Sequence, residues 1–281
     1  MKSKEENKMK LDKDVEEMLK NAQIKLSFCT YSVLFEKFII LTQFVPVDSS
    51  QLPTYMAVQP TVNGVIVYTN QELIKRENDL DFITIILAHE YFHIVNAHCF
   101  TPLPDQFIDN LAADTEINQA RFLDPNCLNV SSSAYEKFIK MAVTPDKFKL
   151  SPDKNREFYY EEFKKRIKTV EIEVEVPGSG SECESGSESK CNQPAKGKVK
   201  VKVRLVDSHD KWKEADTQNA RSFYERIVYE ALENAKQQGT IPGSFIEEIL
   251  AKWEKCKDLE HILRRIITKT YRASINERVT R

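Results

Sequence analysis

The run Phe82-Ile83-Thr84-Ile85-Ile86-Leu87-Ala88 is apolar nearly all round and passes straight into His89-Glu90-Tyr91-Phe92-His93. An element that is apolar on every side has to be buried. Any fold for this chain must therefore place three ionisable side chains in or beside a core. That is costly unless the groups are paired or hold a metal ion. The spacing supplies a reason for the arrangement. Four residues of α-helix turn by about 400°, so His89 and His93 share one face to within roughly 40°. Two imidazoles so placed can bind one zinc ion, with Glu90 positioned to deprotonate a zinc-bound water and pass the proton to a leaving amine. The competing reading is a buried helix that carries two histidines and no metal.

Composition narrows the class. A chain of 281 residues holds one large domain or two smaller ones. The net charge of −2 provides no basic field for nucleic acid or an anionic membrane. No apolar run reaches the ~18 residues of a membrane span. The opening MKSKEENKMKLDKDVEEM lacks the apolar centre of a signal peptide. A cytoplasmic protein is expected. Its six cysteines form no CxxC pair, so reduced thiols are expected in that compartment.

Residues 11 to about 45 read as helical, with Val15, Met18, Leu19, Ala22, Ile24 and Leu26 near helical spacing and an aromatic, core-facing stretch at 31–44. Short β-branched runs on either side of Asn63-Gly64 predict a hairpin just ahead of the histidine helix. Its edge is either purely structural or a place where a peptide adds as a further strand. Asn70 and Asp79 are candidate caps for the helices that follow.

The histidine helix is expected from about 80 to 97. His98 lies nine residues after His89, about 180° round a continuous helix, and no Gly or Pro intervenes to break it. It is the second choice for a third ligand, and otherwise a cap at the helix C-terminus. A second helix is expected over 105–123, where Phe107, Leu111, Asp114 and Asn118 form one stripe. A carboxylate on an apolar stripe is unusual, which makes Asp114 the first choice for the third zinc ligand. Asn118 and Asn110 are placed to hydrogen-bond a ligating group. The alternative is that these polar groups only tie down loops. Glu116, on the opposite face, is expected to be solvated.

Residues 169–176 and 198–203 alternate strictly, acidic in the first run and basic in the second. This predicts two strands, paired antiparallel with opposite charges facing. The Gly/Ser-rich stretch 177–197 is expected to be a flexible loop holding Cys183 and Cys191 as exposed thiols. In Asp207-Ser208-His209-Asp210-Lys211-Trp212, His209 between two aspartates is either a held imidazole that stabilises an oxyanion or part of a capping cluster. The remainder reads as helices, with Gly239 ending the first. The expected organisation is a core over 1–168, a hairpin over 169–207 and a C-terminal helical part over 208–281.

The stretch His89-Glu90-Tyr91-Phe92-His93, with His98 and then Asp109-Asn110-Leu111-Ala112-Ala113-Asp114-Thr115-Glu116-Ile117-Asn118, resembles the putative metallopeptidase domain found ahead of a von Willebrand factor A-like domain in bacterial and phage proteins. Asp207, His209 and Trp212, and the turn Gly239-Thr240-Ile241-Pro242-Gly243, extend the resemblance from about residue 10 to the end. It implies an α+β, mostly helical, zincin-like fold with a small antiparallel sheet and hairpins. It also implies zinc as cofactor, a peptide or protein substrate, a position for His209 near the active site and a MoxR-type AAA+ ATPase as partner. The metal-dependent adhesion motif of the following domain does not occur in this chain, which is expected to be an N-terminal domain alone or to lack that module. Two functions are thus expected. One is a zinc metallopeptidase using His89, His93 and Asp114 as ligands and Glu90 as base. The other is a catalytically silent or regulatory metal-binding adaptor. Glu90 favours the first, because a structural site has no need of a base.

Overall fold

A computed structural model describes residues 10–166, 170–175, 199–204, 212 and 217–255. Asp12 caps helix α1 (Lys13–Ser27) by accepting from the Asp14 amide, and Val15, Leu19, Ala22 and Leu26 form its buried face. Helix α2 (Ser32–Leu41) ends sooner than the expected boundary near 45, and the chain continues as strand β1 (Thr42–Val47). The β-branched Thr42, Val45 and Val47 favour extended backbone. Pro46 has no N–H to continue a helix. Apolar content alone hid this change of period.

Strands β2 (Met56–Thr61) and β3 (Gly64–Asn70) make the expected antiparallel hairpin. Gly64 sits at φ +151°, and a Cβ there would lie 2.5 Å from the Leu41 carbonyl oxygen, so the turn requires glycine. The sheet order is β1-β3-β2, with β1 parallel to β3. The sheet is therefore mixed rather than purely antiparallel. Two reversals bring β3 back to the direction of β1, and β3 then lies between the other two strands.

Helix α3 (Gln71–Glu77) is capped by Asn70, whose side chain accepts from the Leu73 amide at 3.2 Å. Helix α4 (Leu80–Val95) is capped by Asp79, which accepts from the Phe82 amide at 3.1 Å. Every residue from Phe82 to Val95 is buried, as an element apolar on all sides demands. Around it, Phe92 meets Phe35 at 5.0 Å and Phe122 at 5.3 Å between ring centroids, in edge-on pairs worth ~0.5–1.5 kcal/mol each beyond their burial.

Beyond α4 come a short turn at His98–Phe100, then α5 (Gln106–Ile117), α6 (Ala120–Leu123), α7 (Pro125–Leu128), α8 (Ser132–Met141) and α9 (Arg156–Arg166). The last described elements are β4 (Val170–Glu175), β5 (Val199–Arg204), α10 (Thr217–Gln238) and α11 (Gly243–Lys255). One apolar cluster runs from Val15 on α1 to Trp253 on α11, with α4 at its centre. A smaller cluster joins α5 to α9. The fold is α+β and mostly helical.

Strands β4 and β5 pair parallel, not antiparallel, with Glu171 opposite Lys200 and Glu173 opposite Lys202. Acidic and basic alternations match in either direction, so the pattern predicts pairing without fixing orientation. The stretch 177–197, including Cys183 and Cys191, lies outside the described residues. Among those described, Cys29, Cys99 and Cys127 form no disulfide, and burial pushes the Cys29 thiol up to about 12. No helix among them is long and apolar enough to cross a membrane.

Candidate metal centre

Helix α4 turns His89 and His93 onto one face, and α5 brings Asp114 up to them. The two Nε2 atoms lie 2.9 Å apart. Asp114 Oδ1 is 3.5 Å from His93 Nε2 and 3.8 Å from His89 Nε2. All three side chains are buried, at 0%, 0% and 1% exposure, so bulk water does not screen them.

Hydrogen bonds fix what each ring offers. Asn118 Nδ2 donates to the Val143 carbonyl at 3.0 Å, which sets the amide so that its Oδ1 faces His89 Nδ1 at 2.9 Å. His89 must therefore carry its proton on Nδ1. His93 Nδ1 lies 3.1 Å from His98 Nδ1, and His98 Nε2 lies 2.9 Å from Glu116 Oε2. A neutral imidazole has one N–H and one lone pair. If His98 gives its proton to the carboxylate, it accepts from His93. Both Nε2 atoms then present lone pairs to each other beside a carboxylate oxygen. Such a cluster needs a positive charge at its centre, either a shared proton or a cation.

The donor set suits a metal. Two imidazoles and a carboxylate are zinc ligands, and tetrahedral bonds of about 2.0–2.2 Å hold ligand atoms ~3.3–3.6 Å apart. The observed 2.9, 3.5 and 3.8 Å bracket that separation.

Glu90 is fully buried, and its Oε2 accepts from the Val58 amide of β2 at 3.0 Å. β2 is an outer strand of the sheet, and Val58 and Pro60 lie on the same side of it. That edge, expected to be either purely structural or a place where a peptide adds, thus has one amide engaged by Glu90 and a proline, with no N–H, at the next outward position. Trp212 packs on His93 with ring centroids 5.1 Å apart and is 6% exposed. His209 lies outside the described residues.

Two expectations need correction. Glu116 is fully buried, not solvated, because α5 is enclosed on both sides. It is also engaged by His98 and by Lys252 from α11. The helix carrying His93 does break before His98, without Gly or Pro. Asn96 Nδ2 donates back to the Phe92 carbonyl at 2.9 Å, and Ala97 takes the left-handed conformation at φ 59°. His98 then folds back onto the Nδ1 of His93, the side of the ring away from His89, and supplies no atom to the three-residue cluster. It does not act as a helix cap.

Sequence reasoning missed one buried pair altogether. Arg156 of α9 grips Asp109 of α5 at 2.6 and 3.1 Å, and also donates to the carbonyls of His98 and Thr101. It thereby holds the turn that carries His98. The partners are 47 residues apart and leave no local signal.

Fold and cluster together define a mostly helical α+β domain with a buried His-His-Asp group suited to one metal ion. The chain belongs to the putative metallopeptidase domain family, whose model matches residues 75–278. That span takes in α4, α5, α10 and α11. No curated protein and no solved structure matches.

Proposed function

We propose that the protein is a zinc-dependent metallopeptidase that hydrolyses peptide bonds with Glu90 as general base. The observation that carries this reading is the convergence of His89 Nε2, His93 Nε2 and Asp114 Oδ1, with Glu90 next to the first histidine in the chain. Three protein ligands leave a coordination position open, where a structural zinc usually has four. When bound, zinc would supply a Lewis acid that polarises a peptide carbonyl and acidifies a water molecule. Glu90 accepts the proton and returns it to the leaving amine. The Val58 amide holds its carboxylate in place. Asn118 and His98 hold the outer nitrogens of the two histidines. His209 precedes Trp212 by three residues. That place in the sequence, next to the Trp212 that packs on His93, supports a role for His209 as an oxyanion donor at this centre.

One observation favours the adaptor reading. His89, Glu90 and His93 are all at 0% exposure, so a peptide reaches them only if the surrounding chain moves. In that reading the metal stiffens a module that works with a MoxR-type ATPase. The test is cleavage of a diverse peptide library by the zinc-loaded protein, followed by mass spectrometry. Zinc-loaded wild type should cleave, and Glu90→Gln should keep its zinc but lose ~10²–10⁴-fold in rate. Equal cleavage by Glu90→Gln would overturn the role of Glu90. No cleavage by zinc-loaded wild type would move the conclusion to the adaptor.

A further inference from the structure

His93 is held from the far end of the chain. Beyond its contact with His98, Glu116 accepts at Oε1 from Lys252 Nζ at 2.7 Å and from Arg121 Nη2 at 3.5 Å. Both cations also reach Glu248, at 3.1 and 2.9 Å, so two carboxylates and two cations close a neutral loop. Lys252 donates as well to Asn96 Oδ1 at the end of α4, and its neighbour Trp253 donates Nε1 to the Val95 carbonyl at 2.8 Å. Helix α11 is thereby tied to the last turn of α4, although Lys252 and Glu116 are 136 residues apart.

With His98 neutral, the order of protons along this path runs one way. Glu116 accepts from the Lys252 ammonium on one oxygen, so its other oxygen is an acceptor for His98 Nε2–H. His98 Nδ1 then has only a lone pair, which accepts from His93 Nδ1–H. His93 Nε2 is left with its lone pair directed at the cluster. The opposite tautomer of His93 would set two lone pairs against each other at 3.1 Å in a buried place. That leaves a hydrogen bond unmade where water cannot replace it.

We infer that His98, Glu116 and Lys252 are positioning residues that fix the tautomer and orientation of His93 for a metal ion, and that α11 is therefore part of the metal centre. The inference rests on the reading of His89, His93 and Asp114 as metal ligands. None of the three positioning residues is itself a ligand. The hydrogen-bond partners of metal-bound histidines set ligand basicity, and their loss typically weakens metal affinity ~10–100-fold.

Cobalt(II) titration of the metal-free protein, in competition with a chelator, tests this. His98→Ala and Glu116→Gln should bind ~10–100-fold more weakly than wild type, with the d–d bands unmoved because the ligand set is unchanged. His98→Gln, which restores an acceptor of similar reach, should recover part of the loss. Lys252→Met, at a side chain 12% exposed on α11, keeps the test open if a His98 variant fails to fold, and should also weaken binding. Long-range ¹H–¹⁵N spectra should show His93 protonated on Nδ1 in wild type and a mixture of tautomers in His98→Ala. If His98→Ala and Glu116→Gln bind cobalt as tightly as wild type, the inference is overturned. It is also overturned if His98→Ala alters the d–d bands, since His98 would then be a ligand. Wild type that binds no cobalt overturns the metal reading itself, a failure distinct from the other two.

Discussion

The pair Asp109–Arg156 offers a stability prediction that can be worked from the structure. Both side chains are buried, at 3% and 4% exposure, and meet through two hydrogen bonds of 2.6 and 3.1 Å. Asp109 also accepts from the Leu103 amide at 2.9 Å, and Arg156 donates to His98 O, Thr101 O and Thr101 Oγ1. Asp109→Ala leaves a guanidinium buried without its counter-charge, and Arg156→Met leaves a carboxylate in the same position. Each should cost ~3–5 kcal/mol, roughly two to three and a half orders of magnitude in the folding equilibrium at ~1.4 kcal/mol per tenfold. The double variant removes both charges and leaves only backbone groups unmet. It should be about as stable as either single variant, a coupling of ~3–5 kcal/mol. Urea unfolding of the four proteins in EDTA measures this without a contribution from bound metal. Costs below ~1 kcal/mol for the single variants, the range of an exposed ion pair, would refute the reasoning. So would strict additivity.

Further outcomes follow from other contacts. Asn118→Ala should weaken metal binding ~10–100-fold through His89, and cost ~1–3 kcal/mol in stability because the Val143 carbonyl is left buried without its donor; cobalt titration and urea unfolding read the two effects separately. Trp212→Ala uncovers His93, so EDTA should strip cobalt from it faster than from wild type by stopped-flow absorbance; an unchanged rate would show that the indole does not control access. Gly64→Ala should lose ~1–3 kcal/mol, since a methyl group there meets the Leu41 carbonyl at 2.5 Å, and an unchanged urea midpoint would contradict this. Zinc at 1,000 times its Kd should raise stability by ~4 kcal/mol, visible as a higher melting temperature that EDTA reverses.

Much of the centre was legible because it is local. The helical spacing of His89 and His93, the apolar surroundings of Asp114 and the capping residues Asn70 and Asp79 are all patterns within a few residues. Asn118 was readable as a hydrogen-bond partner of the cluster because it lies one turn beyond Asp114. What was not legible depends on distant packing. Glu116 reads as solvated on a helical wheel, and Lys252 of α11, Arg121 of α6 and the returning His98 meet it instead. Ala97 in a left-handed conformation carries no sequence mark, since glycine and asparagine are the residues that usually signal one. The helix break that turns His98 back was therefore invisible. The orientation of β4 and β5 was undetermined for a different reason: period-two charge patterns match in both directions. β1 reads as helix because its apolar residues follow a helical stretch without a turn signal.

The central claim is that His89, His93 and Asp114 hold one metal ion and that His98 does not. The most direct measurement is metal content by mass spectrometry on zinc-loaded, desalted protein for wild type, His93→Ala, Asp114→Ala and His98→Ala. The account predicts about one zinc per chain in wild type, none retained by the first two variants, and zinc still bound, more weakly, by His98→Ala. Full zinc in Asp114→Ala together with none in His98→Ala would contradict it, and would make His98 the third ligand.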